Sequence, residues 1–262
     1  MSNENPNIII KKKNDFDLQN GVLVQCFPGQ GLVGRIAGMH LIEAYKAKEA
    51  VRIYSSYFPH LVIFQGELGK LIHAELWAIE NTTPPLLILT GESQPREGPQ
   101  GMFEILSAVL DIAEEWGVKS VYAIGGFKAA KKQIKSDVTA FAYTEENAEF
   151  LKDNDVRLFT EGRVSGAVGV LTALAAERDM RSIGIMGKVT PSEGPSIAFG
   201  VDPNASKNAL NLFSKLTGFE MDLDEMDKMI KDIEKTEARA MKVIEKLEQR
   251  KEEQENQKSF YL

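Results

Sequence analysis

A glycine-rich turn is the segment whose residue types and spacing most invite chemistry. Gly29–Gly34 reads GQGLVG, with glycines at the first, third and sixth positions, after an apolar run at 22–27. Such glycines let a backbone approach a pyrophosphate at a helix N-terminus. The acidic residue that should end the next strand and hold a ribose is missing, because predicted strand 51–54 runs into Ser55 and Ser56. Tight packing of strand against helix explains these glycines without any ligand.

Other groups that could perform catalysis or bind a metal are few and scattered. The single cysteine, Cys26, lies in the apolar run, which indicates a buried thiol. A catalytic thiol needs a histidine partner, and the chain has three: His40, His60 and His73. The sequence contains no Walker A, serine-elbow, CxxC or HExxH motif. We therefore expect no metal and no cofactor.

One cleft keeps an enzymatic interpretation open. Glu92 and Glu97 flank a Gly/Pro-rich loop, Gly91–Gly101, which follows a predicted strand. Enzymes with α/β folds place catalytic groups at such strand ends. A small-molecule hydrolase or ligase that uses this loop and Gly29–Gly34 is the alternative function, although a solvated loop explains the same residues.

The C-terminus presents a different chemistry. Phe260, Tyr261 and Leu262 follow a strongly charged stretch, 248–258, in which no apolar side chain occurs. A solvated tail has no packing use for two aromatic rings and a leucine. Such an ending indicates docking into a pocket of a partner, with the carboxylate included, or folding back onto the chain's own domain.

The elements that must position these groups alternate between strands and helices. Apolar runs at 22–27, 51–54, 61–65, 86–90, 120–124 and 183–186 predict strands, and 70–80 alternates as one long strand. Helices are predicted from about 32 to 50, 102 to 116, 165 to 177 and 203 to 217. This alternation predicts a mainly parallel sheet covered on both faces, an α/β fold.

A long helix is predicted near the C-terminus. Residues 220–250 contain no Gly or Pro and place apolar side chains at alternating steps of three and four. The stripe consists of Leu223, Met226, Ile230, Ile233, Ala240, Ile244 and Leu247. It needs a cover, which either the same subunit or a neighbouring copy could provide.

Composition and charge exclude several classes. The 262 residues are 43% hydrophobic and 26% charged, typical of a globular protein, and the net charge is -7. That balance disfavours nucleic acid and anionic membranes as partners. The sequence has no apolar run of ~18 residues and no apolar signal core at its N-terminus, so we expect no membrane partner and a cytoplasmic location.

Several segments together resemble one known family. The chain is similar to the proteasome assembly chaperone family over about residues 20–220. The segments that carry the resemblance are 27–34 (FPGQGLVG), 122–127 (YAIGGF), 165–171 (SGAVGVL), 189–191 (VTP), 202–207 (DPNASK) and 216–218 (LTG). The resemblance implies a three-layer α/β/α sandwich, phosphorylase/hydrolase-like, that self-associates and uses no cofactor.

The same resemblance gives the last three residues a role. Phe260-Tyr261-Leu262 resembles the hydrophobic–Tyr–any-residue ending of proteasome activators and assembly chaperones. It implies a pocket between adjacent α-subunits of the proteasome core particle. There the Leu262 carboxylate pairs with a lysine, Tyr261 contacts the gate turn and Phe260 fills an apolar niche.

The predicted organisation has four parts: an N-terminal segment 1–20, a core domain 21–219, a C-terminal helix 220–250 and a tail 251–262. The predicted function is ATP-independent assembly or gate opening of the proteasome core particle by a non-enzymatic homo-oligomer.

Overall fold

The computed structural model describes residues 7–96, 98–128, 137–189, 200–233 and 235. Ten strands occur in it: β1 (Ile8–Lys12), β2 (Val22–Gln25), β3 (Lys48–Ser55), β4 (Val62–Gln65), β5 (Leu68–Leu71), β6 (Ala74–Ile79), β7 (Leu86–Gly91), β8 (Ser120–Lys128), β9 (Val138–Ala142) and β10 (Arg181–Val189). The helices are α1 (Val33–Ala44), α2 (Gly98–Glu115), α3 (Glu145–Asp153), α4 (Ala167–Ala176), α5 (Pro203–Thr217) and α6 (224–233).

Eight strands form the central sheet, in the order β1-β3-β6-β7-β2-β8-β10-β9. Strands β2 and β7 lie in the middle and are buried at every position. Their sequences, VLVQ and LLILTG, are near-continuous apolar runs, as expected for strands covered on both faces. The predicted strands at 22–27 and 86–90 are therefore confirmed.

The sheet is mixed, so the prediction of a mainly parallel sheet was wrong. The pairs β7-β2, β2-β8 and β8-β10 are parallel, whereas β1-β3, β3-β6, β6-β7 and β10-β9 are antiparallel. Between β3 and β7 no helix intervenes, and β3-β6 and β6-β7 are antiparallel. Parallel neighbours need long crossovers, and the helices lie in the connections before β3 and after β7.

Two cores lie on opposite faces of the sheet, which confirms the three-layer α/β/α class. Helices α2 and α4 cover one face, where Leu23, Leu76 and Leu106 are buried together. Helices α1 and α5 cover the other, where Val24, Leu41 and Phe213 are buried. Among the described residues, no helix has the length and hydropathy required to cross a lipid bilayer.

Helix α5 begins and ends where its sequence predicts. The Asp202 side chain accepts a hydrogen bond from the Ala205 amide at 2.9 Å, and Pro203 occupies the first helical position. Gly218 ends the helix with a φ of 71°, a conformation that favours glycine.

Two predicted boundaries were wrong. Helix α1 ends at Ala44 rather than near Ala50, because β3 already begins at Lys48 and pairs with β6. The predicted long strand 70–80 is divided into β5 and β6, since β5 pairs only with β4. Strands β4 and β5 form a separate hairpin at the end of the sheet where β7 terminates, between β3 and β6 in the chain.

Candidate functional site

The predicted docking residues Phe260, Tyr261 and Leu262 lie outside the described residues, as does most of the predicted helix 220–250. The structure instead describes helix α6, which lies at the start of the predicted helix 220–250. The Asp224 amide donates to the Asp222 side chain at 2.8 Å, which satisfies one backbone donor at the start of the helix.

Helix α6 packs on its own subunit. Met226 has no exposed surface and belongs to the core shared with α1 and α5, and Ile230 is also buried. Leu223 packs against the same core. The first three positions of the predicted apolar stripe are therefore covered by the same chain, whereas the positions from Ala240 onward lie outside the described residues.

Polar contacts hold the segment that leads into α6. The Tyr45 hydroxyl donates to the Glu220 carbonyl at 2.9 Å and accepts from the Asp222 amide at 3.3 Å. His40 Nε2 lies 2.8 Å from the Asp222 carbonyl. The Tyr45 ring meets Phe219 edge to face, with centroids 5.0 Å apart. Because the partners are about 180 residues apart in the chain, no local sequence pattern could have identified this clamp.

The contacts of α6 also show the direction in which this helix runs. Asp222 lies beside the C-terminal end of α1, whereas Asp227 pairs with Lys207 in the first half of α5. Helix α6 therefore runs antiparallel to α5, towards the end of the molecule where the parallel strands terminate. The hairpin β4–β5 lies at that same end.

The glycine-rich turn is filled by the protein itself. A Cβ on Gly34 would lie 2.6 Å from the Ile124 carbonyl oxygen, and one on Gly31, whose φ is 63°, would lie 2.7 Å from Val189. A Cβ on the facing Gly126 would lie 2.1 Å from the Gln30 carbonyl oxygen. These glycines let turn, strands and α5 touch, so close packing accounts for them and no phosphate is required.

The side chains around the turn act as braces. Arg35 donates to the Thr90 hydroxyl and the Gly91 carbonyl, both at 3.1 Å, and pairs with Glu92 at 2.9 Å. Gln94 donates to the Pro28 carbonyl at 2.8 Å and accepts from the Ala167 amide at 2.9 Å. Glu92 is thus held in an ion pair that joins α1 to β7, while Glu97 lies outside the described residues.

The thiol and the histidines have structural surroundings. Cys26 is fully buried, and this burial raises the pKa of its thiol far above the ordinary value despite the nearby Arg35 charge, so the thiolate nucleophile is suppressed. His60 contacts the Ser56 carbonyl at 2.9 Å, and His73 contacts the Leu71 carbonyl at 2.7 Å. No three metal-binding side chains converge in the part of the chain that the structure describes.

One buried carboxylate was not predicted from the sequence to have a role. Glu75 on β6 accepts from Lys70 at 2.6 Å and Trp77 at 3.1 Å, and lies 3.2 Å from His73. Burial acts to raise the pKa of Glu75, but the contacts with His73, Lys70 and Trp77 outweigh it and hold the pKa well below its usual value. This network ties the base of the hairpin to the sheet.

The described residues form a three-layer α/β/α protein whose own atoms fill the glycine-rich turn and whose helix α6 packs on the core. Residues 23–242 match the model of the PAC2 family. A relative from Methanocaldococcus jannaschii, the uncharacterized protein MJ1210, is 30% identical over 223 residues, which cover 84% of this chain and 83% of the relative. The chain belongs to the PAC2 family.

Solved structures share the fold. PbaB of Pyrococcus furiosus, described as an archaeal proteasome activator, superimposes with a TM-score of 0.75 at 26% identity, covering 88% of this chain and 97% of PbaB. PbaA of the same organism, described as an archaeal homolog of proteasome-assembly chaperone, gives a TM-score of 0.74 at 18% identity over 98% and 100% of the two chains. The likeness to PbaA concerns the fold alone.

Proposed function

We propose that this chain binds the proteasome core particle through its C-terminal tail and acts, without ATP, as an assembly chaperone or a gate-opening activator. The observation that carries the proposal is the similarity to PbaB, an archaeal proteasome activator, over nearly its whole length. The sequence has no Walker A motif that would supply energy from a nucleotide.

The tail supplies the chemistry of docking. In the proposed complex the Leu262 carboxylate pairs with a lysine between two α-subunits, Tyr261 contacts the gate turn and Phe260 enters an apolar niche. Pockets that capture the end of a chain bind its carboxylate by charge and its apolar side chains by packing. A terminal carboxylate with two aromatic side chains beside it suits a pocket of this kind.

The base of the tail supports this arrangement. Helix α6 is anchored by Met226 and Ile230, so the residues that follow it start from a fixed point on the body. The 29 residues from 234 to 262 would reach about 40 Å if they were helical throughout and further if extended. That length is sufficient for the tail to reach a pocket while the body stays on the outer face of the ring.

Binding by three residues requires several copies. One short tail binds weakly, whereas linked tails on one ring gain ~10²–10⁴ in avidity when the geometry fits. We therefore propose a homo-oligomer, located in the cytoplasm, whose tails engage several α-subunits together.

The test is peptide hydrolysis by purified core particle from the same organism, with the full chain and with a chain that ends at Ser259. Stimulation that disappears with the truncated chain is the result expected for an activator. Tail-dependent co-elution without stimulation is the result expected for an assembly chaperone. If neither occurs while the truncated chain keeps the wild-type mass and melting temperature, the proposal is wrong.

A further inference from the structure

The exposed apolar side chains of the described residues are concentrated at one end. Ten large hydrophobic side chains are exposed in the described part of the chain, and seven of them belong to β1, to the hairpin or to Leu61, which precedes it. These seven are Ile9, Ile10, Leu61, Val62, Phe64, Leu68 and Leu71. Exposed apolar side chains that are concentrated in one region mark a protein interface.

The tip of the hairpin is apolar on both faces. Phe64 is 71% exposed and Leu68 is 79% exposed. Phe64 lies opposite Gly69, and Leu68 lies opposite Gln65, so the two side chains point to opposite faces. A lone two-stranded hairpin is marginally stable in water, and an apolar wedge at its tip needs a second surface to enclose it.

A cavity of about 640 Å³ lies at the base of the same hairpin. Phe58 and Ile72 are its buried apolar lining, and its exposed rim includes Ile9, Leu61 and Leu71. Each copy of the chain therefore carries both an apolar protrusion and a cavity with a buried apolar lining.

We propose that the hairpin β4–β5 and the cavity at its base form the interface between two copies of this chain. Strands of four residues span about 13 Å. Two hairpins that lie side by side in opposite directions place each tip at the base of the other. Phe64 and Leu68 of each copy then enter the cavity of its neighbour, and a twofold axis relates the two contacts.

Area and charge favour a second copy as the occupant. The seven side chains expose roughly 600 Å² per copy, close to the ~800 Å² per partner that a stable interface buries. Glu67 at the tip would meet Lys11, whose ammonium lies 5.6 Å from the Tyr54 ring beside the cavity. Exposed Lys11 and Lys12 on edge strand β1 disfavour direct strand pairing, so side chains make the contact.

This interface deepens the proposed function, because it supplies the oligomer that multivalent tail docking needs. It is tested by the mass of the full chain in solution, with light scattering over a range of concentrations. The variant Phe64→Asp/Leu68→Asp should lower the mass at least by half and raise the dissociation constant at least about 100-fold, since two apolar anchors are lost. Phe103→Asp, at an exposed phenylalanine of α2, should keep the wild-type mass.

A cross-link tests the arrangement directly. Cys26 is buried, so an introduced surface thiol is the reactive one. Leu68→Cys and Ile9→Cys chains, mixed and oxidised, should form a disulfide-linked pair that contains one chain of each kind. A monomeric wild type, an unchanged mass of the Asp variant, or failure of the mixed pair to form would each overturn the interface.

The outcome is separable from that of the tail experiment. A chain that ends at Ser259 should keep the oligomeric mass, so loss of core-particle binding by that chain bears on the tail alone. If the Asp variant keeps its mass but loses core-particle binding, the hairpin contacts the core particle and the proposed contact between copies is wrong.

Discussion

The glycines of the turn differ in what surrounds them. A Cβ on Gly34 would lie 2.6 Å from one backbone oxygen and 2.7 Å from another, whereas a Cβ on Gly29 would meet nothing closer than 3.7 Å. Gly29 also has a φ of -154°, which any residue adopts. The two positions form a matched pair in a single turn.

Gly34→Ala should lower the free energy of unfolding by about 1–3 kcal/mol, because the backbone must move to admit the methyl group. Gly29→Ala should stay within about 0.5 kcal/mol. Urea unfolding measures both. Equal effects of the two substitutions would contradict the packing explanation of the turn.

Glu75 gives a prediction that depends on pH. Its pKa is lowered in the folded protein, so its stabilisation is present above the unfolded pKa of about 4.3 and is lost as pH falls towards the folded pKa. Glu75→Gln should cost about 1–3 kcal/mol at pH 7, since a charged acceptor for Lys70 is removed. The difference in the free energy of unfolding between the wild type and Glu75→Gln should become smaller below about pH 4.

Urea unfolding at pH 7, 5, 4 and 3 measures this difference. Glu43→Gln, at an exposed position of α1, is the control and should have little effect at any of these values. If the difference in the free energy of unfolding is the same from pH 7 to pH 3, the ionised carboxylate of Glu75 does not contribute to stability.

The roles of these residues were only partly predictable. The packing explanation of the turn could be inferred from the missing ribose-binding acid, and the burial of Cys26 from its apolar neighbours. The clamp of His40 and Tyr45 on the base of α6 could not, because its partners are brought together only by the tertiary fold. The docking role of Phe260, Tyr261 and Leu262 remains a prediction.

Helix α6 contains two methionines in different surroundings. Met226 is fully buried against the core, whereas Met229, one turn later, is 38% exposed. Met226→Ala should destabilise the docked helix by about 2–4 kcal/mol through the cavity that it leaves. Met229→Ala should change little.

Hydrogen exchange of the α6 amides measures this effect locally, even if the body of the protein stays folded. Faster exchange in Met226→Ala, with wild-type exchange in Met229→Ala, is the expected result. Similar protection in both variants would mean that the tail does not depart from a fixed base.

Elements with strong local signals were predicted well. Strands β2 and β7 are continuous apolar runs, and α5 carries both a start and a stop signal. The division of 70–80 into two strands was not predictable from alternation, because β5 and β6 have different partners and alternate alike. Pairing partners decide such boundaries, and a single sequence does not contain them.

The oligomer and the tail should act together in binding the core particle. The Phe64→Asp/Leu68→Asp variant retains its tail, so each copy can still bind one pocket, but the gain from linked tails is lost. Its affinity for the core particle should fall by ~10²-fold or more. This affinity is measured by the binding of the variant, over a range of concentrations, to surface-immobilised core particle. An unchanged affinity would show that one tail is sufficient.

The α/β class and the family could be predicted from the sequence, whereas the mixed sheet and the hairpin could not. The hairpin residues 62–71 look like ordinary strand residues in the sequence, and only the structure shows that they pair outside the main sheet and leave Phe64 and Leu68 exposed.

The strand order has a consequence for synthesis on the ribosome. Strand β2 is made early, but its partners β7 and β8 follow some 60 and 100 residues later, and β10 later still. The face that carries α1 is covered only when α5 and α6 arrive. A nascent chain that stalls before Pro203 would expose Val24, Leu41 and their neighbours to solvent. This protein is therefore prone to aggregation until translation is nearly complete.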